Sequence, residues 1–427
     1  MTKQQTNYKQ TEIGEIPQNW NLAKLNSYVE INPTRKLSKG EKAAYVGMAD
    51  IKPYERKITN FITKPYKGGA KFVNRDTLLA RITPCLENGK TAYVNILENN
   101  EVGFGSTEFI VLARRQNKTV SKYIYYLARS PRLRNIAIKS MVGSSGRQRV
   151  QIDKLENTLF AFPEIDGQKE VASILSSLDD KIELNHKMNQ ALEEMGKTLF
   201  KHWFIDFEFP NNEGKPYKSS GGEIVDSELE EIPKGWKVSN IDEVCKTIGG
   251  GTPSTKKKEY WDNGDIKWAT PSDITSLKSP IIFDTDRKIN EQGLKNSSAK
   301  LLPKGTILLT SRATVGLLAI SAVPITTNQG FISVVCNNLK NYYLYFNLLR
   351  RKNEIISKAS GSTFREISKG TFRKLKVLVP KKDVHDEFIK LIKPLFEQIS
   401  INTQEAESLS KIRDSLLPRL MSGRLRI

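Results

Sequence analysis

The stretch Gly143-Ser144-Ser145-Gly146-Arg147-Gln148-Arg149-Val150, which leads to Phe162-Pro163, has a counterpart later in the chain. The counterpart is Ser360-Gly361-Ser362-Thr363-Phe364-Arg365-Glu366-Ile367, which leads to Val379-Pro380, and the two prolines are 217 residues apart. A second pair, residues 15–20 (EIPQNW) and 231–236 (EIPKGW), is 216 residues apart. Nearly equal separations at both ends of a long segment predict an internal duplication.

Two further pairs lie between these in the same order. Residues 77–81 (TLLAR) match 306–309 (TILL), which Thr310-Ser311-Arg312 follow, and residues 108–111 (EFIV) match 330–333 (GFIS). Each is a short β-type run beside a polar segment. The larger separations of these pairs indicate insertions in the second copy, as in duplicated domains with variable loops. Chance similarity is the alternative, and four pairs in one order argue against it.

Each copy is followed by a long segment with helical periodicity. The first begins after Asp166 and the second after Asp383, acidic residues that suit a helix start. Apolar residues recur at spacings of three and four over about 35 to 40 residues, which is typical of a coiled coil. Asn185 and Asn402 interrupt the two stripes at matching positions, where a polar residue can fix register. The alternative is that each helix packs only against its own domain.

The order of domain, helix, linker, domain and helix has a geometric consequence. Helix one ends where domain two begins, so helix two must run back if it packs against helix one, and the pair is antiparallel. At 1.5 Å per residue the helices would form a ruler on the order of 50 to 60 Å long. The sequence therefore predicts an α+β fold in which two similar mixed α/β domains are separated by two long antiparallel helices, a coiled-coil spacer, with a pseudo-two-fold internal repeat.

The predicted boundaries follow from the same pattern. The domains are assigned to residues 1–163 and 231–380, and the long helices to residues 164–207 and 381–427. Pro418 and Gly423 are expected to end or kink the second helix. Residues 208–230, rich in Asn, Gly, Ser, Pro and charge, are interpreted as a linker.

The chain is strongly basic. Its 67 Lys and Arg residues outnumber 47 Asp and Glu residues, a formal net charge of +20 over 427 residues. An excess of this size is typical of a protein that meets a polyanion, and it favours nucleic acid. A solvated basic surface without a partner is the alternative. Because neither end offers a long apolar run, we expect a cytoplasmic protein that makes no membrane contact.

Neither the cysteines nor the motifs indicate chemistry. Cys85, Cys245 and Cys336 are far apart and odd in number, which predicts reduced, buried thiols without a disulfide framework. The three histidines are not spaced with them as ligands, so no metal site is expected. No dinucleotide-binding glycine loop or Asn/Asp-Pro-Pro-aromatic sequence of an amino-methyltransferase occurs, and residues 249–252 (GGGT) lack the ending of a phosphate loop. Acidic residues near Asp166 could be imagined as a nuclease cluster, but at a helix start they serve as caps.

Candidate DNA contacts are polar and basic residues in turns that follow apolar strands, because loops on a rigid scaffold carry recognition. Arginine can pair bidentately with guanine and glutamine with adenine, while lysine and hydroxyl groups mainly hold phosphate. For any one of them, an internal hydrogen bond or a solvated charge is the alternative. Trp20 and Trp236 could stack on bases, but their place after Ile-Pro predicts core anchors. The candidates are Arg81, Thr83, Lys90, Ser144, Arg147, Gln148 and Arg149 in the first domain, and Lys267, Thr310, Arg312, Thr314, Ser362, Thr363 and Arg365 in the second.

Several stretches resemble one protein family, the specificity (S) subunits of type I restriction-modification systems. Residues 201–210 (KHWFIDFEFP) and 415–423 (SLLPRLMSG) look like the family's helix-end segments. The Glu-Ile-Pro-x-x-Trp openings at Glu15 and Glu231 look like the starts of its two target-recognition domains. The resemblance covers essentially the whole chain.

The resemblance implies a non-catalytic adaptor whose two target-recognition domains bind the halves of an asymmetric, bipartite site in double-stranded DNA. It also implies that the helices dock two methyltransferase subunits, which carry S-adenosylmethionine, and that motor and nuclease subunits complete a restriction enzyme. No cofactor is expected in this chain. A stand-alone promoter repressor and a structural coiled-coil protein stay open as alternatives. The helix residues expected at the partner interface are Leu178, Leu192, Leu199, Trp203, Leu395, Leu409 and Leu416.

Overall fold

The chain folds into two compact units in a computed structural model, which describes residues 8–336, 340–361 and 365–425. One unit comprises Met1–Ile182 with Glu407–Ile427, and the other comprises Glu183–Ala406. Each unit therefore contains one copy of the repeat together with a part of both long helices.

The first unit is a mixed α/β domain. Its helices are α1 (Leu25–Tyr28), α2 (Ser121–Arg129), α3 (Pro131–Lys139), α4 (Ile152–Asn157) and the beginning of α5 (Ile165–Phe204), with a 3-10 turn at Met48–Asp50. Its strands are β1 (Tyr8–Thr11), β2 (Gly14–Pro17), β3 (Asn21–Lys24), β4 (Val29–Ile31), β5 (Lys42–Val46), β6 (Ile62–Pro65), β7 (Ala70–Phe72), β8 (Thr77–Ala80), β9 (Thr91–Tyr93), β10 (Gly103–Gly105), β11 (Phe109–Arg114) and β12 (Leu159–Phe162).

Strand β8 lies at the centre of this unit, in a four-stranded sheet of order β4-β11-β8-β9. All four of its residues are buried, because the sheet is covered on both faces. Leu79 belongs to the core that includes α2, whereas Leu78 belongs to the core shared with the sheet of order β6-β5-β10-β7. The uninterrupted apolar run in the sequence therefore serves two cores, one on each side of the strand.

The second unit repeats this plan. Its main sheet has the order β16-β23-β20-β21-β18, and a smaller sheet has the order β19-β17-β22. Its strands are β13 (Ile224–Val225), β14 (Ile232–Pro233), β15 (Lys237–Asn240), β16 (Cys245–Gly249), β17 (Ile266–Ala269), β18 (Ile281–Ile282), β19 (Arg287–Ile289), β20 (Ile307–Thr310), β21 (Leu318–Ser321), β22 (Thr326–Thr327), β23 (Phe331–Cys336) and β24 (Lys376–Val379). Its helices are α6 (Ile241–Val244), α7 (Pro271–Ser276), α8 (Glu291–Lys295), α9 (Asn341–Arg350), α10 (Lys352–Ser357), α11 (Lys369–Arg373) and α12 (Lys382–Met421), with a 3-10 turn at Lys258–Tyr260.

Strand register confirms the duplication and corrects one of the matches. The pair β3–β12 corresponds to β15–β24, and the pair β8–β11 corresponds to β20–β23. Phe109 lies opposite Ala80 and Phe331 lies opposite Thr310, so Thr77 corresponds to Ile307. The sequence match of Thr77 with Thr306 is therefore wrong by one residue. A slip of one residue would turn every side chain of the strand to the opposite core.

Helices α5 and α12 pair in antiparallel fashion within each unit. In the first unit the Arg413 guanidinium donates to Asp179 at 2.6 Å, and in the second unit Asn402 Nδ2 donates to Asn189 Oδ1 at 3.0 Å. Asn189 follows Asp179 on α5, whereas its partner Asn402 precedes Arg413 on α12, so the two helices run in opposite directions. Asn185 and Asn402 are both buried, as expected for polar residues within a helix seam. The predicted fold class, two similar mixed domains with two long antiparallel helices, is confirmed.

The end of α12 and the segment after α5 add detail to the predicted boundaries, which otherwise stay a prediction. Helix α12 continues through Pro418 to Met421, and Gly423 follows with a φ of +71°. After α5, the Phe209 ring stacks on Trp236 at 5.0 Å, so the segment predicted as a linker begins inside the core of the second unit. Trp20 and Trp236 are both buried, which supports their interpretation as core anchors.

The structure brings together two cysteines that are distant in sequence. Cys245 on β16 lies directly opposite Cys336 on β23, and both are free thiols. A hydrogen bond with Cys245 and burial raise the pKa of the Cys336 thiol, so it stays protonated at neutral pH. Across the described residues, no cluster of His, Cys, Asp and Glu is placed to hold a metal ion. Within the same three ranges, no helix has the length and apolar character needed to span a membrane.

An aromatic cluster lies in the core of the second unit, and Phe200 is at the centre of this cluster. The ring of Phe200 lies within 6.1 Å of the rings of Phe204, Tyr343, Phe346 and Phe388. Replacing Phe200 with Ala should lower the free energy of unfolding by about 3–5 kcal/mol, because the cavity left by the ring cannot collapse fully. Urea denaturation of the purified chain measures the change.

The matched control for this variant is Leu391→Ala, because Leu391 lies on α12 in the same unit with 45% of its surface exposed. It should change the free energy of unfolding by no more than about 0.5 kcal/mol. Similar losses from both substitutions would contradict the assignment of Phe200 to the core.

Candidate nucleic-acid interface

In the first unit the chain after β8 meets a hairpin from a distant part of the sequence. The N–H of Val150 donates to the Arg81 carbonyl oxygen at 3.0 Å, and the N–H of Thr83 donates to the Gln148 carbonyl oxygen at 3.0 Å. The Arg81 N–H in turn donates to the Glu108 carbonyl oxygen at 2.8 Å. Backbone hydrogen bonds thus join three separate segments at the end of β8. We call this region, which includes Arg81, Glu108 and the hairpin before Val150, the edge of the first unit.

The hairpin itself spans residues 142–149. Val142 and Arg149 exchange two backbone hydrogen bonds of 3.0 and 2.9 Å, and Arg147 N–H donates to the Ser144 carbonyl oxygen at 3.0 Å. Gly143 and Gly146 have φ values of +134° and +77°, which other residues rarely adopt, so the two glycines permit the tight turn. The hairpin therefore presents an exposed, polar tip that is fixed at its base.

The arginine side chains at this edge differ in whether they are already paired with a carboxylate. Arg149 forms a bidentate ion pair with Glu108, with nitrogen to oxygen distances of 2.6 to 3.0 Å, and this hydrogen bonding raises the pKa of Arg149. Arg147 is exposed and forms no ion pair in the part of the chain that the structure describes. Arg147 is therefore the cation at this edge most available to a polyanion.

The second unit builds the same edge from equivalent residues. Ser311 N–H donates to the Gly330 carbonyl oxygen at 2.8 Å, Ile367 N–H donates to the Ser311 oxygen at 3.0 Å, and Ala313 N–H donates to the Arg365 oxygen at 3.1 Å. These bonds correspond one for one to those of Arg81, Val150 and Thr83. The candidates Ser362 and Thr363 lie outside the described residues.

The two edges differ in the sign of the charge that the hairpin carries. Glu366 in the second unit occupies the position of Arg149 in the first, and it faces Arg312 with a nitrogen to oxygen distance of 3.8 Å. Both side chains of this pair are about half exposed, so the pair is weak and easily opened. The shared backbone therefore displays different side chains in the two units.

The structure brings most of the predicted residues together but gives some of them other partners. Thr310 is wholly buried, and its hydroxyl accepts from Leu317 N–H at 2.9 Å. Thr83 is also buried, and its hydroxyl accepts from Gln148 N–H at 3.1 Å. Lys90 donates from its ammonium to the Met48 carbonyl oxygen at 2.7 Å. These three side chains therefore form internal hydrogen bonds, the alternative to a contact with DNA.

Lys267 and Thr310 are not in turns, and this part of the prediction is wrong. Lys267 lies within β17, in the smaller sheet of the second unit, and Thr310 is the last residue of β20. Lys267 is half-buried between Ile266 and Trp268, and the four residues of β17 give no periodic signal long enough to reveal a strand. Thr314 and Arg365 are exposed near the hairpin, as expected.

Sequence analysis missed a cavity in the first unit. It has a volume of about 400 Å³, and its lining includes Asn32, Arg35, Lys71 and Arg81. Arg35 donates to both carboxylate oxygens of Asp76 at 2.7 and 2.8 Å. Burial raises the pKa of Asp76 to about 6, although a hydrogen bond from Val73 N–H and the Arg35 charge lower it. The sequence gives no signal that links the lining residues, because Asn32 and Arg35 follow β4, Lys71 lies in β7 and Arg81 follows β8.

Most of the helix residues expected at a partner interface pack against the cores, and their role at an interface stays a prediction. Trp203 is buried in the core of the second unit, where Leu192, Leu199 and Leu395 pack against the same cluster. Leu416 packs against the core of the first unit, and Leu178 and Leu409 are half-buried. The apolar stripe read from the sequence therefore belongs largely to the cores. The large apolar residues exposed on the two long helices are Leu184, Met188 and Met195 on α5, and Leu391, Ile401 and Ile412 on α12.

Comparison with known proteins shows which proteins this chain is similar to. A family model described as the type I restriction modification DNA specificity domain matches residues 17–194 and 233–411, which together make up more than half of the chain. The MjaIX specificity subunit of Methanocaldococcus jannaschii is 27% identical, with 99% of this chain and 97% of that protein covered. The HindI specificity subunit of Haemophilus influenzae is also 27% identical, with 86% and 90% covered.

A solved structure supports the fold. The S subunit of a type I restriction-modification system from M. genitalium covers 94% of this chain and 96% of its own, with 16% sequence identity and a TM-score of 0.53. The two matched segments of the family model coincide with the two copies of the repeat, each with its edge of strand end and hairpin. The chain therefore belongs to the family of proteins built from the type I restriction modification DNA specificity domain.

Proposed function

We propose that this chain is the DNA-specificity subunit of a type I restriction-modification complex and recognises an asymmetric, bipartite site in double-stranded DNA. The observation that carries the proposal is the pair of equivalent edges, each made of a strand end and a hairpin on a rigid sheet. The net charge of +20 supports it, because a basic protein gains affinity by neutralising phosphates. Membership of the DNA specificity family supports it independently.

The side chains at the two edges suggest how each half-site would be distinguished. Arg147 and Gln148 stand side by side on the first hairpin, and these residue types pair with guanine and adenine in the major groove. The second hairpin carries Arg365 and Glu366, and a carboxylate there can accept from cytosine but repels phosphate. Because the two hairpins differ in charge, the two half-sites should differ in sequence.

The proposal assigns the chemistry to partner subunits. Two methyltransferase subunits, which would bind S-adenosylmethionine, dock on the helices, and motor and nuclease subunits complete the assembly. On α5, Leu184, Met188 and Met195 project from one face because their spacings of four and seven residues keep them aligned. They are 50%, 37% and 57% exposed, which suits a partner surface better than the core-packed stripe does.

One experiment tests the whole proposal. The chain is expressed with the methyltransferase subunit encoded beside it, the complex is purified, and DNA from the expression host is sequenced for methylated adenine. Co-purification together with one bipartite methylated motif is the expected result. A chain that binds a promoter sequence but captures no methyltransferase would instead be a repressor, and the proposal would fail.

The exposed cation of the first hairpin gives a sharper test. Arg147→Ala should weaken binding to the cognate duplex by about 1–3 kcal/mol and relax preference in one half-site only. Fluorescence anisotropy with duplexes altered in either half measures both effects. The matched control is Lys154→Ala, an exposed cation of the same unit on α4, which should leave the sequence preference unchanged. Equal relaxation of both half-sites by Arg147→Ala would contradict two independent readers.

The second edge offers the complementary test. Arg312→Ala should weaken binding at the other half-site and leave preference at the first intact, since Arg312 lies on the second unit's edge. Because its pair with Glu366 is exposed, the substitution should leave the free energy of unfolding almost unchanged. Thermal denaturation separates loss of recognition from loss of fold.

The partner surface on α5 can be tested separately from DNA binding. Met195→Asp should reduce capture of the methyltransferase subunit at least tenfold, because a charge in an apolar interface must be desolvated without a partner. Leu301→Asp is the control, since Leu301 is equally exposed, at 53%, but lies in a loop of the second unit. If both variants captured the partner equally well, the docking surface would lie elsewhere.

A further inference from the structure

Equivalent positions on the two long helices, α5 and α12, carry different types of side chain. Asn185 on α5 and Asn402 on α12 are equivalent positions, and the same separation of 217 residues equates Asp179 with Phe396 and Gly196 with Arg413. Helices α2 and α9 are equivalent as well, because Tyr125–Tyr126 and Tyr345–Phe346 form the same edge-on ring pair at 5.0 and 5.4 Å. We call the place where α5 packs against α12 in each unit a helix crossing. The side chains at the two crossings can therefore be compared position by position.

In the first unit the crossing is a buried polar network. Arg413 donates to one oxygen of Asp179 at 2.6 Å, and the Tyr126 hydroxyl donates to the other oxygen at 2.7 Å. The side chains of Arg413 and Asp179 are only 8% and 4% exposed. Arg413 also donates to Asp414 at 2.9 Å, which balances its charge further. The Arg129 guanidinium is a second, more distant cation, 3.8 Å from Asp179, so loss of Arg413 would remove the closer of two partners from a buried carboxylate.

In the second unit the equivalent place is apolar and tightly filled. Gly196 takes the position of Arg413, and a β-carbon placed there would lie 2.4 Å from the Phe346 ring. The rings of Phe346 and Phe396, which take the positions of Tyr126 and Asp179, are 5.7 Å apart and both buried. Only a residue without a side chain fits this crossing.

These differences make one half of the chain complementary to the other. The N-terminal half, which is the first domain with α5, supplies Asp179 and Gly196, whereas the C-terminal half, which is the second domain with α12, supplies Phe396 and Arg413. If an N-terminal half paired with a copy of itself, Asp179 would face glycine and lose the closer of its two cations, keeping Arg129 of its own half at 3.8 Å. If a C-terminal half paired with a copy of itself, Arg413 would be driven against Phe346 and Phe396.

We propose that these two crossings make each half of the chain selective for the opposite half, so that pairing of like halves is disfavoured. The buried face of each long helix thus fits the complementary half, whether that half belongs to the same chain or to another copy. The unlike contents of the two crossings are what distinguish the pairs.

The test uses the full chain, cleaved once after folding. A protease site is placed in the exposed turn at residues 211–214, and the purified protein is cut. The pieces are separated in urea and refolded as a mixture, and native mass spectrometry counts the pairs. Pairs of unlike pieces should dominate. A statistical mixture of like and unlike pairs from the unmodified sequence would overturn the proposal.

Variants make the test independent of folding losses. Gly196→Arg gives the N-terminal piece both members of the ion pair, so pairs of like N-terminal pieces should rise at least about tenfold, the ratio expected for 1.4 kcal/mol. Gly196→Ala is the control, because its β-carbon crowds Phe346 but adds no charge. An equal response to both substitutions would overturn the proposal.

A second variant removes the discrimination without adding a charge. Asp179→Phe with Arg413→Gly gives both crossings a ring opposite a glycine, so like and unlike pairs no longer differ at these positions. The cleaved double variant should refold to a mixture of like and unlike pairs. If it still formed only unlike pairs, selectivity would not reside in these crossings.

Discussion

The antiparallel pairing of α5 with α12 is the constraint on which both units depend. The core of the first unit contains Leu175 from α5 and Leu420 from α12, and the core of the second contains Phe200 and Phe388 from the same two helices. Each domain therefore completes its core with a helix that follows the other domain in sequence. Neither helix can leave without exposing apolar surface in both units, at about 25 cal/mol for each Å².

This arrangement also explains why polar residues occupy the helix seam. A purely apolar seam between two 40-residue helices would tolerate a shift along the axis, whereas Asn189 opposite Asn402 and Asp179 opposite Arg413 satisfy each other at one register only. Fixed register in turn fixes where each domain meets the helices. The buried polar groups thus contribute to specificity of pairing more than to its strength.

The recognition edges follow a different principle, because a common backbone carries unlike side chains. The hydrogen bonds that hold Arg81, Thr83 and Val150 recur at Ser311, Ala313 and Ile367, and none of them involves a side chain. Substitution of the exposed residues therefore costs the scaffold little. A duplicated domain with such an edge can change what it contacts while keeping its fold.

Much of the architecture could be predicted from sequence because it depends on short-range periodicity. The repeated motifs predicted two domains, and spacings of three and four predicted two long helices. The sequence alone aligns Thr77 with Thr306 instead of Ile307, because both are threonines and only strand pairing defines the register. Lys267 was placed in a turn because a four-residue strand leaves too short a pattern to detect.

The sequence by itself determined the duplication, the helices and the basic charge, since each of these is a property of neighbouring residues or of the sum. Only the tertiary structure decided which face of each helix is free. Trp203 and Leu199 look like partner contacts in a helical stripe, but the second unit covers that stripe and leaves Met195 exposed. Periodicity shows that a face is apolar, and it cannot show which of several surfaces will cover it, because that choice depends on residues hundreds of positions away.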